Sequence, residues 1–138
     1  VLGMTARTFS RLDAVGYHTA AGLVANGSAT LAALRQSVLV AANVPRRDAP
    51  KLLGPLLRSV AGNVERLGFP AALTGPVRRG DRTAIARARD VLSARAPEAV
   101  SLFLATVRAQ LPLAREIGEA PSTDFDGIAT WLEFVHRS

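Results

Sequence analysis

The stretch Ala14 to Leu34, AVGYHTAAGLVANGSATLAAL, runs for 21 residues without a formal charge. That is long enough to cross a bilayer, but the content is wrong for one. His18, Asn26, three glycines and several hydroxyl side chains interrupt it, and its commonest member is the weakly apolar alanine. That composition decides against a span, and the spacing gives the conformation. Ala20, Val24, Leu31, Leu34 and Val38 recur at intervals of three, four and seven, which is a helical period. The stretch therefore reads as a helix from Tyr17 to about Ala42, buried on most sides inside a protein, with Asn43-Val44-Pro45 ending it. No membrane span is expected.

The chain after it keeps the helical period. Asp48 followed by Pro50 starts a second helix that runs to about Leu67, with Gly68 as its stop. Leu52, Leu53, Leu56, Leu57, Val60 and Val64 form its apolar stripe, and Pro55 predicts a kink or a late start. Residues 69–80, FPAALTGPVRRG, are punctuated by Pro70, Gly75, Pro76 and Gly80 and read as a loop. Asp81 caps a third helix, Arg82 to about Ala94, with Ile85, Ala88 and Leu92 facing inward. Pro97-Glu98 opens a fourth, to about Ile117, with Val100, Leu104, Val107 and Leu111 inside and Pro112 expected to bend it. After a break at 118–121, Ser122 to Asp124 cap a short last helix whose face is Ile128, Trp131, Leu132 and Val135.

The expected fold is all-α, a bundle of about five helices. A short extended segment, Val1 to Phe9, leads it with no sheet to join. Residues 1–13 are expected to be the tail of a preceding domain or a linker, and 14–138 the helical domain. The first residue is Val rather than Met, so a piece of a longer protein is expected. No secretory signal is legible, and a cytoplasmic location is expected.

Composition agrees with one globular domain: 138 residues, 49% apolar and 20% charged. Alanine (25) and leucine (18) dominate, both strong helix formers. The absence of cysteine excludes a disulfide scaffold, a thiolate metal site and a cysteine nucleophile. The net charge of +6 rests on sixteen arginines and one lysine, Lys51. Guanidinium groups suit phosphate recognition, although a GC-rich coding sequence gives the same bias along with the alanine.

Two features could carry chemistry. His18, Gly22 and Asn26 lie four residues apart on one ridge of the first helix. Either the two polar side chains are satisfied locally, with Gly22 allowing a close helix crossing, or the ridge lines a cleft. In a cleft His18 would be an acid/base group and Asn26 a donor to a substrate oxygen. The second feature, Leu73 to Asp81, sets glycines around a proline and two arginines just before a helix start. It reads either as a capping turn or as an anion-facing loop to which Arg79 adds a charge-assisted contact. It is not a P-loop, whose glycine spacing and Lys-Ser/Thr end are missing. Asn63, mid-helix, is expected to bond to the loop that follows. The two histidines, His18 and His136, have no third ligand at metal spacing, so no metal is expected. Arg78, Arg79, Arg82, Arg87 and Arg89 form a basic cluster without interleaved aromatics, and nucleic acid is not the expected partner.

Together, Tyr17-His18-Thr19-Ala20-Ala21, Asn26, Asn63, Leu73-Thr74-Gly75-Pro76-Val77 and Arg79-Gly80-Asp81 resemble a known arrangement over about residues 14–135. It is similar to the helical C-terminal domain of unassigned function that follows a Rossmann-like NADP-binding domain in bacterial oxidoreductase-like proteins. Those are distant relatives of ketopantoate reductase and of 6-phosphogluconate dehydrogenase C-terminal domains. The Thr-Gly-Pro-x-x-Arg-Gly-Asp segment carries most of the likeness. The resemblance implies a homodimer and a missing N-terminal Rossmann domain whose last strand would end in Val1 to Phe9. It also implies NADP in the full-length protein, none in this chain, and a small-molecule substrate at the domain interface. His18 and Asn26 would be catalytic, with Asn63, Thr74 and Arg79 on the substrate. Better-studied relatives carry a catalytic lysine four residues before the asparagine. Here that position is Gly22, and His18, one turn earlier, is the substitute. The alternative is a non-enzymatic helical dimerisation module.

Overall fold

The computed structural model describes residues 10–137, so the expected leading strand lies outside the described residues. Five α-helices follow in order: α1 (Ala14–Ala41), α2 (Ala49–Leu67), α3 (Arg82–Arg95), α4 (Val100–Ile117) and α5 (Ser122–Arg137), with a 3₁₀ turn at Pro97–Ala99 leading into α4. The expected all-α bundle is what forms.

Local chemistry sets most of the helix ends. Asp13 caps α1, its Oδ1 accepting from the Val15 N–H at 3.0 Å. Asn43 leaves α1 with φ 67°, and Gly68 and Gly118 end α2 and α4 with φ 66° and 68°. Asp81 Oδ1 accepts from the Ala84 N–H at 2.9 Å and opens α3. Asp48 precedes α2 but its carboxylate is held by Lys51 at 2.9 Å rather than by backbone. The helix starts at Ala49, so Pro55 brings no late start, and α2 continues through it. α5 begins at Ser122 itself, so Ser122 to Asp124 form its first turn rather than preceding it, and its 16 residues make it a full helix.

The core lies in the second half of the chain. Val77 from the 69–80 loop, Ile85 from α3, Val107, Leu111 and Ala114 from α4, and Phe125, Ile128 and Leu132 from α5 form one buried cluster. Phe125 is its largest member, and it escaped the expected α5 face because it sits in the helix's first turn. Across the surface, Arg108 meets Glu133 at 3.1 Å and Arg115 meets Asp126 at 2.8 Å, tying α4 to α5. Exposed pairs of this kind contribute little, roughly 0–1 kcal/mol each.

The expectation that the first helix is buried on most sides is overturned: α1 has no buried residue. It packs on α2 and, along its later half, on α3. Two polar contacts fasten that end: Ser37 Oγ to Glu98 Oε1 at 3.3 Å, and Arg95 Nη1 to the Ala41 carbonyl at 3.2 Å. The first half projects, with Val15, Leu23 and Val24 70–75% exposed. Ala20 and Val24, expected to face inward, are exposed. So are Leu52, Leu56, Leu57 and Val60 of the α2 stripe. The reason is geometric. A period shows that side chains share a face, but not that this chain holds a partner for it. Of the exposed large hydrophobics, all but Val91, Leu102 and Phe134 lie between Leu12 and Phe69. Among the described residues no helix is long and apolar enough to cross a membrane.

Candidate functional site

The 69–80 loop is shaped by its own motif. Gly75 and Gly80 take φ of 94° and 67°, which L side chains rarely adopt. Gly80 also lies against α5: a Cβ there would sit 2.7 Å from Asp124 Cβ and 3.0 Å from Ala120 Cβ. Arg78 pins the loop from within. Its Nη1 donates to the carbonyls of Ala71 at 3.1 Å and Leu73 at 2.9 Å, while its Nε donates to Glu119. Asp81 spends its carboxylate on the α3 N-terminus. Gly75, Arg78, Gly80 and Asp81 thus have structural work that accounts for them. Gly80→Ala, which combines a forbidden backbone angle with a steric overlap, is expected to cost about 1–3 kcal/mol. A denaturant titration with unchanged slope would measure it.

Thr74 is the motif residue left over. Its hydroxyl has no partner among the described residues, and it borders a groove of about 430 Å³ between the loop, α3, α4 and the facing side of α1–α2. Leu73, Ile85, Phe103 and Val107 line it with apolar surface. Its polar rim is Thr74, Thr106, Gln110 and Arg35. Thr106 donates its proton to the Phe103 carbonyl at 2.7 Å, so its oxygen faces the groove only as an acceptor. Arg35 also borders the two adjoining grooves, one toward Leu31 and Leu102 and one toward Leu53 and Val91.

The residues singled out from sequence do not gather at one place. His18 and Asn26 stand exposed on the projecting half of α1, the His18 ring edge-on to Tyr17 at 5.7 Å. His18 precedes Arg35 by roughly 25 Å of helix axis. Among the described residues no neighbour approaches where Gly22 would carry a Cβ, and no helix crosses there. Asn63 does not reach the loop after α2: its Oδ1 accepts from Arg66 Nη2 at 3.1 Å. Arg79 is exposed and unpaired among the described residues. The basic cluster is divided, because Arg78 is committed to the loop and Arg89 to Asp90. Among the described residues no three His, Asp or Glu side chains come together as a metal site would require. Arg35 and Gln110 escaped the sequence reading. The available signal was that Arg35 is the sole charged residue of α1.

The architecture is that of a small all-α domain with a three-helix core and a helical hairpin whose outer face is uncovered among the described residues. The model of one family, described as a domain of unknown function (DUF2520), matches residues 2–110, and the chain belongs to that family. No curated protein and no solved structure matches the chain.

Proposed function

We propose that this chain is the substrate-binding and dimerisation half of an NADP-dependent oxidoreductase, acting on a cofactor held by a neighbouring domain. The observation that carries the reading is the projecting half of α1. It is mostly apolar, uncharged and largely exposed, a combination that belongs in an interface. His18 and Asn26 are among the polar interruptions of that surface and are exposed to face a partner. In the reaction, hydride would pass from the reduced nicotinamide to a substrate carbonyl carbon. His18 would deliver the proton to the oxygen, and the Asn26 amide would donate a hydrogen bond to it. Thr74, Arg79 and Asn63 lie apart from His18 within one chain, so in this reading they would hold an acidic or polar substrate from the second copy of a dimer.

The test expresses the chain together with the sequence that precedes it in its reading frame and follows NADPH oxidation with small 2-oxo acids. His18→Ala is expected to lower turnover by about 10²–10⁴-fold, the usual contribution of a general acid. Unchanged turnover in both His18→Ala and Asn26→Ala would remove these residues from the mechanism. A second reading, a non-enzymatic dimerisation module, is favoured by Gly22 occupying the position where the resemblance implies a catalytic lysine. It predicts the same assembly with no NADPH oxidation.

A further inference from the structure

We propose that the groove beside Thr74 binds a small amphipathic carboxylate, its apolar chain lying on Phe103 and Ile85 and its carboxylate held by Arg35. Arg35 is the sole charged residue of α1, and its guanidinium has no hydrogen-bond or ion-pair partner among the described residues. The three grooves that it borders contain no aspartate or glutamate, and the second cation lining one of them, Arg87, is unpaired as well. Elsewhere on the surface arginines do find carboxylates, as Arg78, Arg108 and Arg115 do. Arg35 and Arg87 thus set two unpaired guanidinium groups at the seam of α1, α3 and α4, with no carboxylate lining the grooves between them.

The polar groups set the chemistry of the anion. The Thr74 hydroxyl and the Gln110 carboxamide are both unpaired among the described residues and can donate, and both share the groove with Arg35. A guanidinium fork matches the two oxygens of a carboxylate in its plane. The remaining wall is apolar, which suits a hydrocarbon body and disfavours a strongly hydrated dianion such as phosphate. At about 430 Å³ the groove has the size of a small-molecule site. The inference shares Thr74 with the substrate role proposed above, but it needs neither nucleotide nor His18.

The experiment titrates the isotope-labelled chain with hexanoate, with hexan-1-ol as its uncharged counterpart, and with inorganic phosphate, and follows assigned NMR signals. Hexanoate is expected to shift Thr74, Phe103 and Gln110 saturably at millimolar concentration. Hexan-1-ol and phosphate should each bind at least roughly tenfold more weakly, the loss of one charge-assisted contact or of the apolar one. Arg35→Gln should weaken hexanoate by a similar factor without changing the far-UV spectrum. The proposal is overturned by equal binding of hexanoate and hexan-1-ol, a comparison on the unaltered chain that no folding defect can confuse. It is overturned too by shifts confined to the exposed faces of α1 and α2. If Arg35→Gln instead dissociates an assembly of the chain and hexanoate does not bind, Arg35 serves a protein carboxylate and the small-molecule site is refuted. NADPH oxidation plays no part in these outcomes, so each proposal can fail alone.

Discussion

Phe125→Ala is expected to destabilise the domain by about 3–5 kcal/mol, the usual cost of emptying an aromatic site in a packed core. Phe125 is 1% exposed and belongs to the cluster joining the 69–80 loop, α3, α4 and α5. Its neighbours Ile85 and Ile128 are fully buried and anchored on different helices, so the space it leaves closes poorly. Domains of this size have only roughly 5–15 kcal/mol in total. The effect is sharpened by the distribution of the core, because α1 and α2 contribute no large buried side chain that could compensate. Urea unfolding followed by circular dichroism measures it. A loss below about 1 kcal/mol would mean that the α3–α5 cluster is not what holds the chain together.

Leu23→Glu with Val24→Glu is expected to abolish self-association. The unaltered chain should sediment as a dimer at micromolar concentration, and the double variant as a monomer. Both side chains are at least 70% exposed in the single chain, so their replacement removes no internal contact. In a twofold interface each appears in both copies. Burial of a leucine or valine is worth about 1.5–3 kcal/mol, and a glutamate there must also be desolvated. Four such changes should weaken the dimer by more than about a thousandfold. The thermal stability of the monomer should stay nearly unchanged. A clean monomer of the unaltered chain at the same concentration would count against α1 as a dimerisation element, and with it against the proposed function.

The two variants mark the boundary between what was legible and what was not. Ile85, Val107, Leu111, Ile128 and Leu132 announce their faces by period, and all are buried. Leu52, Leu56 and Val60 show the same period on α2 and remain exposed. Nothing in a helical repeat distinguishes a face covered by this chain from one awaiting another molecule. The candidate site divides in the same way. The positions of Gly75 and Asp81 are readable as turn and cap, because their roles depend on neighbours one to four residues away, whereas Gly80 also answers to Asp124 and Ala120 across the fold. Thr74 could be singled out but not explained without α4, whose Gln110 shares its groove.

From the sequence alone came the helix order, the stops at Gly68 and Gly118, the cap at Asp81 and the loop between α2 and α3. Each is decided by torsion-angle preference or by a hydrogen bond within one turn, so local residue identity suffices. Only the tertiary structure decided that the core gathers around Phe125 while α1 projects, and that Arg35 meets no counter-charge among the described residues. Those facts depend on which distant segments meet in space, and no periodicity along the chain encodes that.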